Sequence, residues 1–223
     1  MRLLISNYDI ELELEENKVT VISAESPRVY RDLLENLWKQ ANGEDGIFIF
    51  SEGTKRKNIS KEVECIFNVF SIDINSKKVI SKLYSELKEQ SQTVLQEETS
   101  ELYANLLEYF DKLLMTVPYN LQFDISTEIT SLLKIFNVAV INQNDDILEK
   151  IIEYIKALNK ICSINVFVFI DLKHYLSEEE LRMFYEFVFY EKIQIIIVEP
   201  VHTPKLTEEK CCIIDKDLCI INL

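Results

Sequence analysis

Two short apolar runs flanking an acidic stretch constrain this chain more than any other feature. Residues 165–171 read NVFVFID and residues 192–200 read KIQIIIVEP. Both are nearly continuous runs of β-branched and aromatic residues, the pattern of strands covered on both faces, and each stops at a carboxylate. The segment between them, residues 177–191, has the acids and apolar spacing of a helix. Strand, helix and strand in that order predict a βαβ unit of a parallel sheet. Asp171 and Glu199 then fall at the carboxyl ends of the strands, where open α/β sheets place their ligands.

The ligand expected at such an edge is a nucleotide, but the loop that would hold its phosphates is missing. The chain has three glycines, Gly43, Gly46 and Gly53, and none stands in a phosphate-cradling sequence. Where a strand–loop–helix should carry GxxxxGK[ST], residues 23–33 read SAESPRVYRDL. That stretch offers no glycine or lysine, and Glu25 would repel phosphate. ATP or GTP hydrolysis is not expected on this ground. Asp171, although placed like a Walker-B acid, reads as a strand-end residue or helix-entry cap.

A chain of 223 residues can bury a core as one large domain or two small ones. No apolar run approaches the roughly 20 residues a membrane span requires. The start, MRLLISNYDIELELEENK, has neither the basic head nor the apolar core of a signal peptide. A soluble, cytoplasmic protein with no membrane partner is expected. Five cysteines, an odd number without CxxC spacing, predict reduced thiols rather than a disulfide framework or zinc site. Cys65, Cys162, Cys211, Cys212 and Cys219 are expected in the core. The net charge of −14 argues against nucleic acid in sum, although a local basic surface can still bind it.

Along the chain, residues 2–5 and 10–14 alternate as antiparallel edge strands, and residues 19–22 continue the pattern. Ser26-Pro27 starts a helix carrying Val29, Leu33, Leu34, Leu37 and Trp38 at helical spacing. Residues 47–50, IFIF, read as a short buried strand. Residues 77–116 contain no Gly or Pro and keep a helical period, as two helices or one long one. Another helix is expected over about 127–136, a strand at 138–141 (VAVI), a helix over 145–160, and two strand-like runs near Cys212 and Ile220. The domain plan is an α/β head, residues 1–75 plus 137–223, interrupted by a helical insertion at 76–136.

Catalytic constellations are absent from the pattern. The two histidines, His174 and His202, stand in no partner motif, and surface or structural roles are expected for both. The densest basic cluster is Lys55-Arg56-Lys57 with Lys61, in SEGTKRKNISKE. Arg28, Arg31 and Lys39 lie on the first helix. A solvated charge run is the default reading of such a cluster, but copies repeated by symmetry would multiply the phosphates it can reach. Asn120, Gln122, Asp124 and Glu128 form an oxygen-rich stretch after Pro118, without EF-hand spacing, that could contribute to a hard-cation site such as one for Ca²⁺.

Several segments together resemble the small Csn protein family of type II-A CRISPR systems. FSIDINSKKVISKLYSELKEQ (70–90) is similar to that family's junction into a helical domain, with its D-[IV]-N-S turn. NDDILEKIIEYIKAL (144–158) resembles its next diagnostic helix. VFVFIDLKHYLSEEELRMFYEFVFYEKIQIIIVEP (166–200) resembles its strand–helix–strand closing on an E-P pair, and IIDKDLCII (213–221) its final strands. The resemblance implies a degenerate P-loop-NTPase-like α/β head with an inserted helical domain, and no catalytic activity. It implies homotetrameric rings that thread onto ends of double-stranded DNA, bind Ca²⁺ and act in spacer acquisition. The partners implied are the CRISPR adaptation integrase proteins and the type II effector nuclease. By the same resemblance Lys55, Arg56, Lys57 and Lys61, with Arg28, are the expected DNA contacts, and Asn120, Asp124 and Glu128 the expected metal ligands. The family's denser acidic run, similar to D-L-E-x-D, reads NLQFD here, so Asn120 and Gln122 lower the charge of that site. The alternative expectation is a pseudo-NTPase-like protein-interaction scaffold that never touches DNA.

Overall fold

The computed structural model describes residues 1–123, 128–141 and 146–223. The chain is α/β and separates into two compact units, Met1–Asp73 with Gln143–Leu223, and Ile74–Asn142. No helix among the described residues is long and apolar enough to cross a membrane.

The first unit starts with β1 (Arg2–Ile5) and β2 (Ile10–Glu13), antiparallel about a turn at Asp9, whose φ is 50°. Then come β3 (Val19–Ala24), helix α1 (Pro27–Ala41) and the hairpin of β4 (Phe48–Glu52) and β5 (Lys55–Arg56). A one-turn helix, α2 (Ile59–Glu62), leads into β6 (Val63–Ile66). After the second unit the chain returns as α6 (Ile147–Cys162), β7 (Val166–Ile170), α7 (Glu178–Tyr190), β8 (Gln194–Glu199), β9 (Glu209–Ile214) and β10 (Ile220–Asn222). Between them, the second unit is built of α3 (Lys77–Thr93), α4 (Gln96–Leu114) and α5 (Ile129–Ile135).

Two sheets frame the first unit. The smaller is antiparallel, in the order β2-β1-β4-β5. Its register aligns Leu3 with Leu12 and Phe50, and Ile5 with Ile10 and Phe48, so alternation sends six large side chains to one buried face. The larger sheet has six strands in the order β10-β9-β3-β8-β7-β6. All adjacent pairs in it are parallel except the edge pair β10–β9. One of its faces (Ile22, Val168, Val198, Cys212) joins a core with Leu33 and Leu37 of α1 and the buried face of the small sheet. On the other face Phe169 meets Phe184 of α7 edge-on, with ring centroids 5.7 Å apart.

The βαβ unit read from NVFVFID and KIQIIIVEP is present as β7–α7–β8. All five residues of β7 are buried, and burying a side chain of this size contributes about 1.5–3 kcal/mol each. Helix α7 starts at a capping box in which Ser177 and Glu180 exchange side-chain and backbone hydrogen bonds. Helix α6 starts where the Asp146 carboxylate accepts from the Glu149 N–H at 3.0 Å.

Several expectations are corrected. Residues 19–22 do not continue the antiparallel pattern. All six residues of β3 are buried, and the strand lies inside the large sheet, parallel to β8 and β9. VAVI at 138–141 forms no strand. Side chains satisfy its backbone instead: the Asn75 amide bonds both the N–H and C=O of Val140, and the Tyr84 hydroxyl donates to the Val138 carbonyl. Of the two arrangements expected for residues 77–116, the chain takes that of two helices, breaking at Leu95 where φ is −112° and ψ 34°. Trp38, on the apolar spacing of α1, is exposed, and so is Cys219, which precedes β10.

Candidate functional site

The basic cluster is a hairpin rather than a plain loop. Gly53, at φ +59°, turns the chain from β4 to β5, with Glu52 opposite Lys55 and Ser51 opposite Arg56. Lys55 and Arg56 are exposed, as is Lys61 on α2. Lys57 folds back toward the sheet and pairs with Glu52 at 3.5 Å. Arg56 and Lys57 line a cleft of about 310 Å³ together with Glu44 and Asp45. Arg28 is not part of that cleft. It lies at the start of α1, on another cleft of about 770 Å³ with Arg31, Lys216, Tyr8 and Asp32. The expected DNA contacts are therefore divided between two surfaces, and carboxylates accompany the cations on both.

Of the expected metal stretch, Asp124 lies outside the described residues. The Glu128 carboxylate is held by Lys88 at 2.9 Å, and this ion pair keeps its pKa below the usual carboxylate value. Asn120 is exposed.

A different constellation forms at the carboxyl edge of the large sheet, where the two strand-end carboxylates read from sequence are joined by His174. The Asp171 N–H bonds the Val198 carbonyl at 3.0 Å, carrying the β7–β8 register one residue past the strand. Asp171 itself takes a left-handed conformation, φ 57°, which turns the chain into a single helical turn at Leu172–His174. That turn brings His174 back over Glu199, with Nδ1 3.1 Å from Oε2. His174, for which a structural or surface role is expected, has a half-exposed ring that faces a fully buried carboxylate. One donor atom from each of Asp171, His174 and Glu199 lies within 4.8 Å of the other two.

Helix α1 completes the edge. The Tyr30 hydroxyl donates to Oδ1 of Asp171 at 2.6 Å, and burial with the neighbouring carboxylate raises the tyrosine pKa far above its ordinary value. Glu199 accepts the Lys173 N–H on Oε1 at 3.0 Å. Its pKa is raised, first by burial and further by the Asp171 charge, against the opposing pull of that N–H and of His174. The signal that could have found this site was spacing: Asp171 and His174 are one short turn apart in DLKH, and parallel register sets the end of β8 beside the end of β7.

The head defines an α/β class of protein whose parallel sheet carries no phosphate loop among the described residues. The family model for CRISPR-associated protein Csn2 matches residues 40–218, and the chain belongs to that family. It is also similar to the CRISPR-associated protein Csn2 of Streptococcus agalactiae, with 23% identity over 208 residues, covering 92% of this chain and 91% of the relative.

Proposed function

We propose that this chain is a non-catalytic protein of CRISPR adaptation that binds the ends of double-stranded DNA as a homotetrameric ring. The observation that carries the reading is membership of the Csn2 family over most of the chain. Exposed Lys55 and Arg56, at the outer edge of the small sheet, support it. One such hairpin reaches few phosphates, and copies arranged by ring symmetry reach enough for salt-dependent binding. The adaptation integrase proteins and the effector nuclease are the partners of this reading, in the cytoplasm. Calcium belongs to it through Asn120, Asp124 and Glu128, the last of which pairs one carboxylate oxygen with Lys88.

The test is a mobility-shift titration with linear duplex and closed circular DNA of the same sequence. Threading predicts salt-sensitive binding of the linear form alone, and equal affinity for circles overturns it. A K55A/R56A variant should lower the slope of log affinity against log salt by about one for each phosphate it no longer neutralises. Light scattering should give the mass of a tetramer, and a monomer with and without Ca²⁺ counts against the ring. The net charge of −14 and the acids beside each basic cleft favour a second reading, a pseudo-NTPase-like scaffold for a protein partner. Failure of the parent chain to bind any DNA selects it.

A further inference from the structure

Among the described residues, two buried oxygen atoms at the carboxyl edge of the large sheet make no hydrogen bond, although one of them lies within ion-pair reach of His174. They are Oε2 of Glu199 and Oγ of Ser23. Both residues are at most 1% exposed. They are also direct neighbours: the parallel register of β3 and β8 aligns Ser23 with Glu199, and residues so aligned project from the same face of a sheet. Leaving one buried polar atom unsatisfied is costly, and two side by side require an explanation. Next to this pair stand His174 Nδ1, 3.1 Å from Oε2 of Glu199, and the Asp171 carboxylate.

We propose that Asp171, His174 and Glu199 bind one divalent transition-metal ion of the zinc class, with the Ser23 hydroxyl facing its coordination sphere. An imidazole nitrogen and two carboxylates are a donor set for such ions. With ligands at about 2.0–2.2 Å, a 3.1 Å separation of Nδ1 and Oε2 corresponds to an angle at the ion of about 90–100°, suited to four- to six-coordination. Ligands of one such ion lie at most about 4.4 Å apart, so donors spread over as much as 4.8 Å draw together slightly when it binds. Calcium fits the site poorly. It takes six to eight oxygens, and one ligand here is a nitrogen while another is a carboxylate cut off from water.

The surroundings are those of a metal centre. Tyr30 donates to Asp171, orienting it as an outer hydrogen-bond donor orients a ligating carboxylate. The Lys173 N–H fixes the other Glu199 oxygen, leaving Oε2 directed at the imidazole. All three ligands come from rigid elements or from the single turn tied to them. His174 is half exposed, so an ion can enter from solvent without opening the core. Three protein ligands leave a coordination position for water or another small oxygen donor.

The experiment uses the full chain, stripped by a chelator and titrated with Zn²⁺ by calorimetry, then with Co²⁺ followed by visible absorbance. We expect one ion per chain, Co²⁺ ligand-field bands without a thiolate charge-transfer band, and a rise in melting temperature with metal. Tyr30→Phe should weaken binding about 10–100-fold, the effect of removing an outer partner, and His174→Ala should weaken it further. Glu199→Gln alters a buried group and could impair folding, so His174→Ala, at a half-exposed position, decides the matter, with its melting temperature measured without metal as the control. No binding, a thiolate band that places the ion on cysteine, or unchanged affinity in His174→Ala overturns the proposal.

Discussion

The Tyr185 hydroxyl donates to Oε1 of Glu209 at 2.8 Å, deep between α7 and the start of β9. Lys173 reaches both oxygens of the same carboxylate, at 2.9 and 3.0 Å, and the Leu206 N–H adds a bond at 2.9 Å. Glu209 has no exposed side-chain surface, and Lys173 almost none. A buried pair of this kind contributes little net stability against an apolar replacement of the same shape, but removing one partner leaves a charge stranded. Lys173→Met should therefore cost about 3–5 kcal/mol in urea unfolding. Tyr185→Phe, which deletes one donor among several, should cost about 1–3 kcal/mol.

Gln40 holds the start of the small sheet's third strand. Its amide donates to the Phe48 carbonyl and accepts from the Phe48 N–H, both at 2.9 Å and both buried. Gln40→Ala strands those two backbone groups at about 1–3 kcal/mol each. A Cβ at Gly46 would meet the Gln40 side chain at 2.6 Å, so Gly46→Ala displaces the same clamp. The two changes share one interaction, and a double-mutant cycle should give less than the sum of the single costs.

Alkali should unfold the head. Burial and the bond to Asp32 push Tyr8 up to about 12. Tyr154 and Tyr185, bonded to Glu64 and Glu209, are raised further by burial. Cys212 is pushed to about 11, also by burial. These groups are neutral when protonated, and their folded pKa values exceed the unfolded ones. The unfolded chain thus releases its protons first, and stability falls as pH rises. The expected decline starts near pH 9, the ordinary thiol value, and continues through about 12. Denaturant midpoints at stepped pH check it, and spectrophotometric titration should show these three, with Tyr30, ionising last among the ten tyrosines.

Thiol labelling should rank the cysteines. Cys219 is exposed, while Cys211 and Cys212 are buried with raised pKa values. The thiolate is the reactive form, so limited alkylation near pH 8 followed by peptide mass mapping should find Cys219 modified first. Cys211 and Cys212 should react at rates set by unfolding.

The β7–α7–β8 unit is legible in sequence because fully buried parallel strands are written as unbroken apolar runs. Strand β3 misleads for the opposite reason. VTVIS contains Thr20 and Ser23 among its apolar residues, which mimics half-buried alternation, although both polar side chains are buried. VAVI resembles a strand because propensity registers β-branching, whereas the Asn75 and Tyr84 side chains that satisfy its backbone lie 65 and 54 residues away in sequence. The candidate site is only half visible. The carboxylates at the strand ends can be read, but not the left-handed turn at Asp171 that swings His174 onto Glu199. No residue type demands positive φ there, since aspartate only tolerates it.

The position of β3 has a consequence for how the protein is made. Val19–Ala24 pairs only with β8 and β9, and Lys18 bonds the Thr207 carbonyl 189 residues downstream. During synthesis this strand therefore leaves the ribosome long before either neighbour exists. Until β9 has followed, an apolar ribbon with both edges unpaired remains open to chaperones or to another nascent chain. The α/β head should close late and slowly, limited by the longest chain closure in its sheet, while the locally connected helices of the second unit can form as they emerge.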